Sequence, residues 1–271
     1  DWSSDVCSSD LDVSLALPGQ PAVSYKGEPQ RWYTDTTAFN KYYGWYYGEP
    51  QDYGAYLDDL HQRNPTQPIG ISEYGAGGSI RQHTGRLYGR DGAARTPMES
   101  IRRSAFGKDH PEDYQAYFHE ESWRVMRDRP YIWAKFIWNM FDFAVDWRNE
   151  GDTPGRNDKG MVTIDRRTRK DAFFFYKANW SGEPVLHLAN RRFTERTDAV
   201  TEIKVYTNAP EAEVFLNGLS LGKKKVGADR IVRWENVTLA PGDNRVRATA
   251  VAQDRALTDE CGWTLRPTAK P

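Results

Sequence analysis

The sequence predicts an α/β segment that contains the closing strands of a barrel, followed by an all-β sandwich. Up to Trp180, short apolar strand candidates alternate with amphipathic helix candidates, as they do in β/α architectures. After Trp180, short strands of alternating polarity are separated by turn signals, which is typical of a β-sandwich. We therefore expect a domain boundary near Ser181–Pro184, which divides the chain into residues 12–182 and residues 183–271.

The α/β part begins with a strand, a helix and a second strand. Thr37–Tyr43 reads as a strand that runs into an aromatic loop, and Gln67–Ser72 reads as a short buried strand. Between them, Tyr53–Arg63 carries its apolar residues on one face, which predicts a helix that ends at Asn64.

A long polar stretch then leads to a second helix and another buried strand. The stretch from Gly75 to about Lys108 has no sustained period, and a loop of that length is usually functional or mobile. We expect Asp109 to cap the helix, Pro111 to lie in its first turn and Pro130 to follow its end. Tyr131–Trp138 is nearly continuously apolar, which predicts a strand covered on both faces.

The second part is predicted from four alternating segments and two turn signals. Asn217-Gly218 and Pro241-Gly242-Asp243 supply the turns. The predicted strands are Val200–Tyr206, Glu213–Leu216, Ile231–Trp234 and Arg245–Val251.

Residues 1–11 differ in character from the rest of the chain. They resemble the translation of a sequencing adapter, and we expect them to be an artefact that is excluded from the fold and that includes Cys7. The native start would then be missing from the chain. The alternative is a natural disordered tail rich in Ser and Asp.

Composition excludes several classes of partner. The 271 residues carry 37 Lys and Arg against 38 Asp and Glu, so the net charge of -1 gives no reason to expect nucleic acid or an anionic membrane. No run of 18 apolar residues predicts a membrane span. Aromatic residues make up 13% of the chain, which fits either a sugar-binding cleft or a Trp-rich core.

Neither cysteine nor histidine spacing predicts a metal site. The two cysteines, Cys7 and Cys261, form no disulfide or zinc pattern. The histidines show no ligand spacing with Cys, Asp or Glu, so we expect surface or packing roles for His83, His110, His119 and His187. No cofactor is predicted for this chain.

Glu73 is the first candidate for chemistry. It follows the predicted strand Gln67–Ser72 and precedes Tyr-Gly-Ala-Gly-Gly, whose glycines allow a sharp turn at the mouth of a barrel. A carboxylate there can attack an anomeric carbon and hold a covalent glycosyl intermediate. The alternative is a structural Glu bonded to nearby amides, and spacing alone favours that alternative.

Four motifs in order resemble glycoside hydrolase family 2, the family of β-galactosidases, β-glucuronidases and β-mannosidases. They lie within residues 31–180 and are Phe39–Tyr46, Ser72–Gly75, Trp138–Phe143 and Gly155–Gly160. The resemblance implies that residues 12–182 are the C-terminal part of a TIM (β/α)8 barrel and that residues 183–271 form an immunoglobulin-like sandwich. It also implies a retaining hydrolase of β-linked sugars.

The resemblance assigns roles residue by residue. Glu73 matches the nucleophile, and Tyr42 matches the tyrosine that hydrogen-bonds and orients it. Trp138 matches the tryptophan at the floor of the sugar subsite, and Asn40 is expected to reach the same site. Ordinary packing roles are the alternatives for Tyr42 and Trp138.

Asn157 and Lys159 bear on the substrate. In β-glucuronidases an Asn-x-Lys pair at this place binds the substrate carboxylate, because an ammonium and an amide suit that group. Related β-galactosidases also carry Asn-Asp-Lys-Gly followed by a run like Val162–Arg166, and their sandwich is similar. We therefore expect terminal β-D-galactosides as substrates, with β-glucuronides as the alternative.

One family residue has no counterpart in this chain. The acid/base Glu of the family follows an Asn on an earlier strand, whereas Glu28 and Glu49 do not follow Asn and Asn149-Glu150 comes too late. We expect the acid/base, any divalent metal near it and the N-terminal half of the same polypeptide to be missing, so that this chain is inactive by itself.

Two further expectations concern the compartment and a rival function. Related enzymes suggest a periplasmic or secreted protein. The rival is a non-catalytic carbohydrate-binding sandwich, for which Trp234 and Trp263 are the candidate platform residues, although both could also serve as core.

Overall fold

The computed structural model describes residues 36–84 and 105–266. Its first part is built on a sheet of three parallel strands in the spatial order β1 (Thr37–Asn40), β2 (Ile69–Tyr74) and β3 (Ile132–Ile137). Because parallel neighbours need a crossover connection, the intervening chain returns through helices. The predicted adapter segment, residues 1–11, lies outside the described residues.

In residues 36–84 and 107–266, three α-helices pack with this sheet around one hydrophobic core. They are α1 (Tyr53–Arg63), α2 (Glu112–Arg127) and α3 (Asp171–Trp180), and a single 3-10 turn at Pro50–Asp52 precedes the first. The bounds predicted for α1 are confirmed, since the chain leaves the helix at Asn64.

The start of α2 corrects two predictions. Pro111, in extended backbone, occupies the N-cap position and forms a bridge with Ser79, so the helix begins only at Glu112. Asp109 therefore lies three residues ahead of the helix, too far to cap it, and Pro111 lies ahead of the first turn, so both predictions are wrong. The first turn still carries Glu112 and Asp113, which suit the positive end of the helix dipole.

Two short strands lie between β3 and α3. β4 (Phe143–Ala144) and β5 (Arg156–Asn157) pair antiparallel, with Phe143 opposite Asn157. This ribbon leads the chain from the end of β3 to the segment that carries Lys159.

The second part has two antiparallel-rich sheets that share one core. One sheet has the order β10-β9-β12-β13-β7 and the other the order β11-β8-β6. The strands are β6 (Leu186–Leu188), β7 (Glu195–Arg196), β8 (Val200–Thr207), β9 (Glu211–Leu216), β10 (Leu219–Lys225), β11 (Ile231–Thr238), β12 (Gly242–Ala252) and β13 (Arg255–Leu265).

The four strands predicted in this part are confirmed, and the predicted turns have the required backbone. Asn217 and Gly218, between β9 and β10, have φ of 51° and 86°, and Gly242 at the start of β12 has φ of 82°. Trp234 and Trp263 are 3% and 1% exposed in the core. Neither tryptophan can therefore act as the exposed sugar platform of the rival reading.

Buried ionic contacts join the two parts. Glu120 on α2 accepts hydrogen bonds from Lys204 Nζ at 2.5 Å and from Arg233 at 2.7 Å, both on the sandwich. Asp171 at the start of α3 lies 2.9 Å from His187 Nε2 on β6. The predicted domain boundary near residues 181–184 stays a prediction. Within the described ranges, no helix is long and apolar enough to cross a membrane.

Candidate active site

Parallel pairing brings the ends of β1 and β2 together and places Glu73 beside Asn40. The N–H of Lys41 donates to the carbonyl oxygen of Glu73 at 3.0 Å, which fixes the backbone at this point. The chain then passes close to β3: a Cβ on Gly75 would lie 2.0 Å from the carbonyl oxygen of Trp138. Only glycine fits there, so the predicted need for glycine after Glu73 has a specific steric cause at Gly75.

The Glu73 carboxylate is half-buried and hydrogen-bonded. Tyr42 Oη donates to Glu73 Oε2 across 2.8 Å. Burial raises the pKa of Glu73, while the side chains of Tyr42 and Asn40 and the charge of Lys159 act to lower it. Burial and the nearby Glu73 charge raise the pKa of Tyr42 well above its usual value, so this phenol stays protonated and can keep donating.

Asn40 is held in place from the neighbouring strand. Ser72 Oγ donates to Asn40 Oδ1 at 2.7 Å. This bond fixes the amide oxygen on Ser72, which leaves the amide nitrogen as the donor that can favour an ionised Glu73.

Lys159 supplies a buried positive charge near this carboxylate. Its side chain is 1% exposed, and Nζ donates to Tyr46 Oη at 2.9 Å. The same ammonium lies 5.0 Å from the ring centre of Tyr46 and 5.4 Å from that of Trp45, within the range of cation–π contacts. Among the described residues, no carboxylate lies within ion-pairing distance of Lys159 Nζ.

Asn157 acts on the backbone of the same loop. Its Oδ1 accepts the N–H of Lys159 at 3.0 Å, which closes a turn around Asp158. Asp158 is buried, and its Oδ2 lies 2.8 Å from His110 Nδ1. Burial alone would raise the pKa of Asp158, but His110 and the nearby lysines outweigh it and hold the pKa below its usual range.

Trp138 lies at the end of β3, directly beside the end of β2. Its N–H donates to the carbonyl oxygen of Tyr74 at 2.8 Å, and its ring meets Phe143 edge-on with centroids 5.9 Å apart. The Trp138–Asn139 peptide is cis. The half-buried ring is thus placed next to the strand that carries Glu73.

The structure brings together four of the predicted residues: Asn40, Tyr42, Glu73 and Lys159. Asn157 joins them through the Lys159 backbone, and Trp138 lies at the end of the neighbouring strand, with no hydrogen bond to Glu73 among the described residues. Tyr46 and Trp45, which face Lys159, were not predicted, although both belong to the aromatic motif that follows β1. The described residues hold no group of three or more His, Cys, Asp and Glu side chains that could bind a metal ion.

Comparison with known proteins sets this site in context. A β-glucuronidase of Bacteroides fragilis is 45% identical over 228 residues, which is 84% of this chain and 31% of that protein. A β-galactosidase of Bacteroides ovatus is 30% identical over 131 residues, 48% of this chain and 15% of that protein. The predicted resemblance to glycoside hydrolase family 2 is confirmed.

The chain is also similar to a solved structure of a β-glucuronidase. The crystal structure of an FMN-binding β-glucuronidase from Facaelibacterium prausnitzii L2-6 is 39% identical with a TM-score of 0.74, covering 87% of this chain and 33% of that one. The sandwich residues 198–258 match a family described only as a domain of unknown function, DUF4982. The chain thus spans about a third of the length of the first two glucuronidases named here.

Proposed function

We propose that this chain is part of a retaining glycoside hydrolase whose nucleophile is Glu73 and whose first substrate class is β-glucuronides. The observation that carries the substrate class is the buried ammonium of Lys159, which has a neutral hydroxyl as its hydrogen-bond acceptor. A buried charge is unfavourable unless it is paired. A sugar carboxylate bound beside Glu73 would give this ammonium a direct ion-pair partner.

In the first step Glu73 acts as the nucleophile and Tyr42 orients it. An ionised Glu73 attacks the anomeric carbon, forming a covalent glycosyl intermediate that water later hydrolyses with net retention. The hydrogen bond from Tyr42 opposes the effect of burial on the Glu73 pKa, which favours the ionised carboxylate, and it aims that carboxylate before substrate arrives. Trp138 and Asn40 are proposed to contact the sugar.

A second carboxyl group is needed to protonate the leaving group. In the part of the chain that is described, no other carboxyl is among the groups that shift the pKa of Glu73. Glu150 is buried against Arg148, and Glu49 takes part in the cap of the 3-10 turn at Pro50–Asp52. We propose that the acid/base lies in a further part of the polypeptide and that these 271 residues alone do not turn over substrate.

The exposed face of the parallel sheet supports a longer polypeptide. Trp133 and Phe136 on β3 are 47% and 52% exposed, and β1 and β3 are both edge strands of the sheet as described. Large exposed apolar side chains beside open strand edges usually mark a covered interface. We propose that the first strands of a (β/α)8 barrel cover them. A periplasmic or secreted location stays a prediction.

β-Galactosides, which the sequence led us to expect first, are the second candidate here. The specific support is the B. ovatus relative, a β-galactosidase that is 30% identical over 131 residues. A galactoside carries no carboxylate, so it would leave Lys159 with Tyr46 as its hydrogen-bond acceptor. The two candidates therefore differ in what they require of Lys159.

Steady-state kinetics of the complete polypeptide on p-nitrophenyl β-glucuronide and β-galactoside test the substrate class. We expect Lys159→Met to lower kcat/KM for the glucuronide by about 100-fold or more and to change the galactoside value by only a few-fold. Lys223→Met, at an exposed ion pair with Glu211, is the matched control and should change neither. Equal losses on both substrates in Lys159→Met would contradict glucuronide recognition by this residue.

A separate experiment tests the proposed inactivity of the 271-residue chain. The purified 271-residue chain should not hydrolyse either glycoside above the background given by its Glu73→Gln variant. Turnover that disappears in Glu73→Gln would show that the chain already contains a working acid/base.

A further inference from the structure

We propose that Lys170 is a positioning residue that holds the loop carrying Lys159 and thereby sets the preference for a carboxylated sugar; this inference rests on the proposed function. Lys170 lies just ahead of α3 and is fully buried. Its ammonium makes no contact with Glu73 or Lys159 side chains among the contacts described. It acts instead on the backbone around Lys159.

Two bonds from Lys170 Nζ fix this backbone. Nζ donates to the carbonyl oxygen of Asp158 at 2.8 Å and to Asp142 Oδ1 at 2.8 Å. The same Asp142 oxygen accepts the N–H of Gly160 at 2.9 Å. One buried cation therefore holds the peptide group before Lys159 directly and the peptide group after it through Asp142.

The loop has little room to adopt another path. A Cβ on Gly160 would lie 2.0 Å from the backbone nitrogen of Asp142, so the chain runs against the segment just ahead of β4. The N–H of Asn139 donates to the carbonyl oxygen of Lys159 at 3.2 Å. Loss of the Lys170 bonds would remove one of the contacts that hold the peptide group before Lys159 and would free Asp142, which holds the peptide group after it. A small shift of this backbone would move the Lys159 ammonium away from its place near Glu73.

Lys170 is itself anchored from the sandwich. The next residue, Asp171, lies 2.9 Å from His187 Nε2, and its Oδ2 accepts the N–H of Asn190 at 2.6 Å. Arg192 also reaches Asp171 at 3.0 Å. These contacts hold the start of α3 against the second part of the chain and thereby fix the backbone position of Lys170.

The test is the ratio of kcat/KM for p-nitrophenyl β-glucuronide to that for p-nitrophenyl β-galactoside, measured in the complete polypeptide carrying Lys170→Met. This ratio does not depend on how much of the enzyme is folded, since a lower active fraction scales both values equally. We expect it to fall by about 10- to 100-fold, because misplacing a binding group by about 1 Å costs that much. The loss should appear mainly as a higher KM for the glucuronide.

Lys204→Met is the matched control. Lys204 is also a buried lysine paired to a buried carboxylate, Glu120, but it lies at the contact between α2 and the sandwich. It should destabilise the protein in a similar way and leave the ratio unchanged. The double variant Lys170→Met with Asp142→Asn removes both bonds from Lys170 without leaving a buried charge unpaired, and its ratio should fall as well.

The outcomes separate this inference from the proposed function. If Lys159→Met lowers the ratio and Lys170→Met does not, the positioning role is overturned and the substrate class stands. If Lys159→Met itself leaves the ratio unchanged, carboxylate recognition fails and the role of Lys170 fails with it. A fall in Lys159→Met and Lys170→Met, but not in Lys204→Met, supports both.

Discussion

Tyr42 Oη donates a hydrogen bond to Glu73 Oε2 across 2.8 Å, from the loop after β1 to the end of β2. This bond joins the only two residues that the resemblance assigned to catalysis, and it acts on the protonation of one of them. Removal of the bond should therefore change the pH profile of the enzyme as well as its rate.

Tyr42→Phe should lower kcat of the complete polypeptide by about 10- to 100-fold, since a hydrogen bond to a charged group contributes about 1.5–3 kcal/mol. The bond lowers the pKa of Glu73, so its loss raises that pKa and moves the acidic limb of kcat/KM to higher pH. The control is Tyr131→Phe, which removes a phenol–carboxylate bond to Asp58 elsewhere. An unmoved acidic limb in Tyr42→Phe would count against this role.

Gly75→Ala tests the close approach of β2 and β3. The added Cβ would meet the carbonyl oxygen of Trp138 at 2.0 Å, so the two strands must separate. We expect a loss of about 1–3 kcal/mol in the free energy of unfolding, measured by urea denaturation. Gly182→Ala, where a Cβ would meet nothing within 4 Å, should change it by less than about 0.5 kcal/mol. Similar values for both variants would refute the steric argument.

His119 should make folding sensitive to mild acid. Burial, followed by the charge of Lys170, lowers its pKa to about 3, so the folded protein keeps this imidazole neutral. Between pH 6.5 and about 3 the unfolded chain binds the proton and the folded one does not, so the free energy of unfolding falls by about 1.4 kcal/mol per pH unit as pH is lowered.

His119→Gln should remove that contribution. Urea denaturation at pH 7, 6, 5 and 4 gives the free energy of unfolding at each pH. This free energy should fall less steeply with decreasing pH in the variant than in the parent, and the difference in slope should correspond to about one proton. Parallel declines would mean that His119 does not titrate differently in the two states.

Glu120→Gln tests the ionic contact between α2 and the sandwich. The variant leaves the buried cation of Lys204 without its anion and leaves Arg233 paired with Glu202 alone, which should cost about 3–5 kcal/mol of unfolding free energy. Glu211→Gln at the exposed pair with Lys223 should cost less than about 1 kcal/mol. Thermal or urea unfolding of both variants gives the comparison, and a mild effect of Glu120→Gln would show that the contact is dispensable.

The sequence was a good guide wherever a local pattern determines the structure. The periodicity of Tyr53–Arg63 predicted α1 with its bounds, and Asn217-Gly218 predicted a hairpin because both residues tolerate positive φ. The capping prediction for Asp109 failed because Pro111 is held extended by its bridge to Ser79, a contact that a local pattern does not reveal.

The sequence predicted the residues that lie around Glu73, but not the residue that holds their loop in place. Glu73, Tyr42 and Lys159 could be assigned from motifs, but Lys170 reaches Asp142 over 28 residues of chain. No spacing rule links two such positions, because their contact is made by the fold. A buried lysine also looks like a surface lysine in a sequence, so its role appears only once its burial is known.

The central claim is that Glu73 is the nucleophile of a retaining hydrolase. The most direct measurement treats the complete polypeptide with a 2-deoxy-2-fluoro-β-glucuronyl fluoride and with the corresponding galactosyl fluoride, and locates the trapped adduct by peptide mass spectrometry. We predict a covalent glycosyl ester on Glu73, formed faster from the glucuronyl reagent and absent in Glu73→Gln. An adduct on another carboxylate, with Glu73 unmodified, would contradict the account.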